Sequence, residues 1–178
     1  KNTRVTILGL GHLGVHVAQT LAGLGYAVSG WSRQPRNIEH VRCVHGCDAL
    51  GSLLQETDVL FSILPSTDET QHLLDAKHLA LLPKDAALIN AGRGTLLDED
   101  ALLNLLNQQH LRFVLLDVFA TEPLPAAHPF WRHPAVIITP HVAADTIPEE
   151  AVAQISANIQ ALASGHPVQG QVDRQRGY

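Results

Sequence analysis

The sequence predicts an α/β protein with a doubly wound parallel sheet in a three-layer α/β/α arrangement. Three observations predict it. Short apolar runs recur from one end of the chain to the other, and stretches with helical spacing separate them. The runs are apolar throughout rather than alternating, as strands buried on both faces are. Strands joined through helices need crossover connections, which makes them parallel and the crossovers right-handed.

The elements follow in order. RVTIL at 4–8 reads as the first strand. From 13 to 24 the spacing is helical, with Leu13, Val17, Leu21 and Leu24 on one face and Gly25 closing the helix. AVSGW at 27–31 is the second strand and VRCV at 41–44 a weak third. SLLQET at 52–57 is a short helix with Ser52 as its expected cap. VLFSIL at 59–64 is a buried strand stopped by Pro65. Residues 76–82 are helical up to Pro83, and AALINA at 86–91 is the fifth strand. Asp98 caps a helix running to about Gln109, with Leu102, Leu105 and Leu106 inward. FVLLD at 113–117 and VIIT at 136–139 complete the sheet, the latter as a short buried strand. A last helix spans Pro148 to Ala163 and ends at Gly165. Between the last two strands lies an irregular stretch, 118–133, rich in Pro, Ala and His. A loop of that length inside a compact domain is usually functional.

Bulk properties exclude several classes. The 178 residues suit one domain with a real core and are marginal for two. A net charge of −5 gives no footprint for nucleic acid. No run of about eighteen apolar residues is present, so no membrane span is expected, and no signal peptide is read. Cys43 and Cys47 flank His45, a set that reads as ordinary small residues, so no metal is expected. So few cysteines suit a reducing, cytoplasmic compartment. The chain lacks methionine and enters a strand almost at once, so a missing N-terminal portion is expected.

GLGHLG at 9–14 follows the first strand and opens the first helix, the context in which G-x-G-x-x-G gains meaning. Gly9 permits the tight turn, Gly11 lets a pyrophosphate approach the backbone, and Gly14 lets helix and strand pack closely. Free N–H groups and the helix dipole then favour an anion. His12 and Leu13 lie inside the turn and count among the cofactor contacts, His12 as the occupant of a tolerant position. The reading is a Rossmann-type dinucleotide site. Where an NAD site ends its second strand with an acid, this chain has Trp31, Ser32 and Arg33, with Arg36 following. An arginine attracts a 2′-phosphate that a carboxylate repels. NADP(H) is therefore preferred, with NAD(H) possible. A plain solvent-facing basic loop is the alternative.

Ligands of open α/β sheets bind beyond the carboxyl ends of the strands. There the chain places Arg93 in NAGRG at 90–94, Asp117, Glu122 and His141. The set fits hydride exchange between a nicotinamide and a 2-oxo acid. The new alkoxide needs a proton, which a histidine supplies at a gain of about 10²–10⁴ in rate. A carboxylate beside a histidine favours its charged form and fixes its orientation, a role for Glu122. Arginine's fork matches a substrate carboxylate and polarises the carbonyl, a role for Arg93. Asp117, at the strand end itself, is assigned to the cofactor's carboxamide.

The order of glycine-rich turn, NAGRG, LDVFATEP at 116–123 and TPH at 139–141 resembles the D-isomer-specific 2-hydroxyacid dehydrogenases. LPSTDET at 64–70, EPLP at 122–125, HPFW at 128–131 and GWSR at 30–33 look closer still to the glyoxylate/hydroxypyruvate reductase A branch. The resemblance covers nearly the whole chain. It implies an NADPH-linked reductase of small 2-oxo acids, glyoxylate and hydroxypyruvate, in which Arg93, Glu122 and His141 are catalytic. It implies further cofactor contacts at Leu64, Pro65, Ser66 and Thr67, at Ala91, Gly92 and Arg93, at Asp117, and at His141 and Ala143. It also implies a dinucleotide-binding domain over 1–165 and a tail, 166–178, that returns to a substrate domain whose N-terminal part is absent here. Such a fragment is expected to bind nucleotide and turn over little; appreciable reductase activity would refute that. A homodimer through this domain is implied too, and a monomer mass by light scattering would remove it. Two rivals stay open: a branch using NAD, such as phosphoglycerate dehydrogenase, and a dinucleotide-sensing regulatory module without turnover. Trp131 either shapes a pocket or a subunit contact, or anchors the long loop in the core.

Overall fold

The structure, a computed structural model, describes residues 2–172. The expected return of the tail falls partly on 173–178, which lies outside the described residues. The chain runs β1 (Arg4–Leu8), α1 (His12–Gly23), β2 (Ala27–Ser32) and β3 (Arg42–His45). It returns through α2 (Leu50–Gln55) to β4 (Val59–Ser62), then α3 (Ala76–Leu79), β5 (Ala86–Asn90), α4 (Glu99–Asn107), β6 (Leu111–Leu116) and β7 (Val136–Ile138). The strands form one sheet in the order β3-β2-β1-β4-β5-β6-β7, and every neighbouring pair is parallel. The doubly wound α/β/α expectation holds.

The core divides by face. Leu8, Leu60, Leu88 and Leu116 meet Leu53 and Leu54 of α2, Leu79 of α3, and Leu102 and Leu106 of α4. Val5, Ile7 and Val28 meet Ala18 of α1 on the other face. Each leucine so buried contributes about 1.5–3 kcal/mol. Asp98 caps α4 as expected, accepting from the Ala101 N–H at 3.0 Å.

Several local expectations change. Of the expected α1 face, Val17 and Leu21 pack half-buried against the core beside fully buried Gly14 and Ala18, while Leu13 and Leu24 are 52% and 59% exposed. At its start the helix rides so close to its own turn that only glycine fits at position 14. Ser52 does not cap α2; it lies within the helix and donates back to the Ala49 carbonyl at 3.1 Å. That helix follows directly on a 3-10 turn, Cys47–Ala49, and needs no side-chain cap to start. β6 begins at Leu111, two residues early, because Leu111 is buried although exposed Arg112 interrupts the apolar run. β7 ends the sheet, and Ile137 is half exposed rather than buried. Within 118–133 a 3-10 turn, Pro129–Arg132, inserts Phe130 into the core. Trp131 stays exposed with its indole N–H on the Pro125 carbonyl. Phe130, not Trp131, anchors the long loop.

The chain divides into two compact units, Lys1–His141 and Val142–Tyr178. The first ends at His141, ahead of the last helix. The second contains α5 (Pro148–Ala163), with Pro148 in its first turn. Asn158 of α5 exchanges two hydrogen bonds with the Gln169 backbone, at 3.0 and 3.1 Å. No helix among the described residues is long and apolar enough to cross a membrane.

Candidate active site

From β1 the chain works outward through β2 to β3, then returns to β4 on the other side of β1. The carboxyl ends of β1 and β4 therefore border the crevice where such sheets take ligands. Gly9 stands at φ +104°, a left-handed backbone that glycine adopts freely, and its N–H reaches the Trp31 carbonyl at 2.9 Å. A Cβ on Gly14 would lie 1.8 Å from the Gly9 carbonyl oxygen. A Cβ on Gly11 would meet nothing within 4 Å. Gly11 is also the N-cap of α1 and supplies no side-chain acceptor to the first N–H groups of that helix. Open space and uncommitted donors there fit a pyrophosphate.

Of the β2 residues, Trp31 is 6% exposed and its indole N–H is held by the Gly46 carbonyl at 2.9 Å. Its ring belongs to the core and only its backbone faces the turn. The Ser32 hydroxyl donates to the Gln34 carbonyl at 2.7 Å. Arg33 reaches Glu69 with an Nη1–Oε2 distance of 2.6 Å.

The segment 64–70 lies between the glycine turn and Arg93. Its Thr70 hydroxyl donates to the Pro65 carbonyl at 2.7 Å and accepts from the Thr67 N–H at 2.8 Å. Leu64 is buried, Pro65 and Thr67 are half-buried, and Ser66 is exposed with its hydroxyl 2.9 Å from that of Thr95. The NAGRG turn packs directly on this segment: a Cβ on Gly92 would lie 2.6 Å from the Leu64 carbonyl oxygen. The Ala91 N–H reaches the Ser62 carbonyl at 3.0 Å. Asn90 sets the turn, accepting from the Gly92 N–H and donating to the Arg93 carbonyl. Arg93 itself donates to the Gly92 carbonyl at 2.7 Å and is exposed on the rim.

Beyond β6, Asp117 is 2% exposed and accepts the Thr139 hydroxyl. Glu122 stands on the loop that follows. One of its oxygens accepts the Phe119 N–H at 2.9 Å and the other lies 2.9 Å from His141 Nδ1. An ionised carboxylate only accepts, so Nδ1 carries the hydrogen and Nε2 is left to exchange a proton. The His141 hydrogen bond is the main cause that holds the Glu122 carboxyl below its ordinary range. The Phe119 N–H adds to it, burial opposes it, and the charges of His141 and Arg93 lower it further. Arg93 therefore lies near enough for its charge to reach Glu122. His141 has φ +58°, a left-handed backbone costing about 1–3 kcal/mol outside glycine, which the surroundings must hold. Gly94 ties the halves of this cluster together: a Cβ there would lie 1.8 Å from the Phe119 carbonyl carbon.

The structure thus brings together Arg93, Glu122 and His141, with Asp117 behind them. Ala143 falls in the second unit. Sequence reasoning passed over Asn90, Thr139, Gly94 and Glu69. All four lie inside the motifs that drew notice; the partners of Thr139, Gly94 and Glu69 are distant in sequence, while Asn90 acts on its own turn. Among the described residues no group of three His, Cys, Asp or Glu is placed to hold a metal ion. A groove of about 610 Å³ lies on the α1 face of the sheet, lined by Val5, Val17, Tyr26 and Phe61 among others, and no catalytic candidate lines it.

Residues 1–143 match the model of the D-isomer specific 2-hydroxyacid dehydrogenase NAD binding domain. The glyoxylate/hydroxypyruvate reductase A of Serratia proteamaculans is 48% identical over 177 residues, which is 99% of this chain and 56% of that protein. The chain thus spans little more than half the length of that relative. Among solved structures, a D-isomer specific 2-hydroxyacid dehydrogenase from Xanthobacter autotrophicus Py2, in complex with NADPH and MES, superimposes with a TM-score of 0.97. It is 45% identical, over 99% of this chain and 73% of that one. An NADPH-dependent glyoxylate/hydroxypyruvate reductase from Sinorhizobium meliloti, in complex with NADP and sulfate, gives 0.95 at 36% identity, over 99% of this chain and 57% of that one. The glycine turn, the parallel sheet and the residues of its rim therefore sit in a chain that belongs to the D-isomer specific 2-hydroxyacid dehydrogenase family, as its NAD-binding domain.

Proposed function

We propose that this chain is the nucleotide-binding and catalytic part of an NADPH-linked reductase of small 2-oxo acids of the glyoxylate and hydroxypyruvate class. The observation that carries the reading is the Glu122–His141 pair at 2.9 Å on the rim that also bears Arg93. Nicotinamide, when bound, supplies the hydride that adds to the substrate's carbonyl carbon. Arg93 holds the substrate carboxylate and draws electron density toward the carbonyl oxygen. His141 gives its Nε2 proton to the oxygen as negative charge grows there, and Glu122 steadies the imidazolium ring from the other side. Gly9, Gly11 and Gly14 with the α1 N-terminus take the pyrophosphate, and Asp117 faces the carboxamide. Arg33 and the absence of an acid after β2 support NADPH over NADH. The names of the relatives support the substrate class. The reading includes a separate substrate domain, a homodimer and a cytoplasmic setting.

Calorimetric titration of the chain with NADPH and NADH under identical conditions tests it. Tighter NADPH binding that is lost in Arg33→Ala is the expected result. Equal or tighter NADH binding sinks the 2′-phosphate argument and favours the branches that use NAD.

A further inference from the structure

We propose that Glu69 sets the degree of NADPH selectivity by competing with the 2′-phosphate for Arg33. The inference rests on the nucleotide reading above and extends it to a residue outside the glycine turn and the catalytic rim. β2 and β4 are the two neighbours of β1 in the sheet. Arg33 is the first residue beyond β2, and Glu69 lies on the segment that follows β4. Their 2.6 Å ion pair therefore spans the carboxyl end of β1, where the glycine turn begins. It is a latch across the crevice.

Both ends of the latch are firmly mounted. The Thr67 N–H donates to the Thr70 hydroxyl, that hydroxyl donates to the Pro65 carbonyl, and the Gln71 N–H reaches the Thr67 carbonyl at 3.0 Å, so the turn bearing Glu69 is held. Ser32, beside Arg33, is fixed by its hydroxyl bond to the Gln34 carbonyl. The pair itself is weak, since the two side chains are 39% and 66% exposed and solvent screens them. A phosphate is the stronger partner, because a guanidinium binds it through two parallel hydrogen bonds. NADPH therefore exchanges partners at Arg33 and leaves the Glu69 carboxylate beside a new negative charge. NADH has no 2′-phosphate and leaves the latch closed. Selectivity is then the surplus of the Arg33–phosphate contact over the Arg33–Glu69 contact it replaces.

The test is calorimetry with NADPH and NADH on the unaltered chain and on Glu69→Gln, Arg33→Ala and the double variant. Glu69→Gln is expected to tighten NADPH binding by about two- to fivefold, the scale of a surface ion pair, and to leave NADH binding unmoved. Most of that gain is expected to vanish when Arg33 is already alanine. An unchanged NADPH-to-NADH ratio in Glu69→Gln overturns the latch. So does weaker NADPH binding, which would mean that Glu69 presents Arg33 to the phosphate, and so does a full gain persisting without Arg33. Failure of the underlying reading looks different. There the unaltered chain shows no preference for NADPH, or keeps its preference in Arg33→Ala, and the latch falls with it.

Discussion

The two halves of the rim are built from different materials. Around β1 and β2 the site is made of backbone: three glycines, bare N–H groups and a space where a side chain would stand. Around β5, β6 and β7 it is made of side chains that other groups hold in place. Asn90 shapes the turn under Arg93, the Phe119 N–H fixes Glu122, and Glu122 fixes His141. The first half depends on what is missing, the second on what is positioned. A substitution in the first half should therefore act by volume, and one in the second by lost partners.

The largest effect should come from a single methyl group placed at two glycines three residues apart. In Gly14→Ala the new Cβ meets the Gly9 carbonyl oxygen at 1.8 Å, backbone against backbone, and neither can yield without lifting α1 off its strand. The cost should exceed about 4 kcal/mol, a large part of the 5–15 kcal/mol that holds a typical domain. In Gly11→Ala the methyl meets nothing, and stability should shift by no more than about 1 kcal/mol. Nucleotide binding should nonetheless fall at least about tenfold, because the methyl fills the space the pyrophosphate needs. Thermal melts with nucleotide titrations separate the two. A Gly11→Ala chain that binds normally would break the claim that this half works by open space.

The same contrast explains what the sequence made legible. GLGHLG announced itself because backbone-made sites need glycines at fixed spacing, and spacing is a one-dimensional property. The sheet was equally open to reading, since strands such as AALIN are apolar on both faces for one reason. Arg93, Glu122 and His141 were found by a weaker rule, that chemistry gathers at the strand ends. Their supports were not. Gly94 lies 25 residues before Phe119, and Thr139 lies 22 after Asp117, so only the fold brings them together. The part of the α1 face that departs from expectation has the same root. Periodicity places Val17 and Leu21 against the core, but it does not show the close approach at Gly14, where a Cβ would lie 1.8 Å from the Gly9 carbonyl oxygen, nor that neighbouring Leu13 is left exposed. The place of Trp31 at the end of β2 is legible in the sequence, while its burial and its bond to Gly46 depend on β3 and the turn beyond it.

A middle-sized effect should follow in the side-chain half from Thr139→Val, which keeps the shape and removes the hydroxyl on Asp117. The carboxylate is nearly fully buried, so losing a partner costs about 1–3 kcal/mol, where an exposed one would turn to water. For a chain of this size that lowers Tm by roughly 2–4 °C per kcal/mol. A melt unchanged in Thr139→Val would mean that Asp117 is held by its other contacts, and that the side-chain half is less dependent on single partners than the geometry indicates.

The smallest effect should be a pH dependence, and its sign is set by Glu122. Its carboxyl is held below the ordinary glutamate value, chiefly by His141 and then by the Phe119 N–H, so the folded state favours the ionised form. A group with a depressed folded-state pKa adds stability that is present above its unfolded value, near 4.5, and is lost as pH falls through the lower folded value. Glu122→Gln should therefore melt below the unaltered chain at neutral pH, and the gap should close as the pH drops under about 4.5. The group is more than a third exposed, so the gap should be small and should shrink with salt. A gap that stayed constant from neutral to acid would mean that Glu122 contributes through packing rather than charge. His141, in its left-handed backbone, would then be held by something other than the carboxylate 2.9 Å away. The side-chain half of the rim would in that case resemble the backbone half, depending on shape more than on partners.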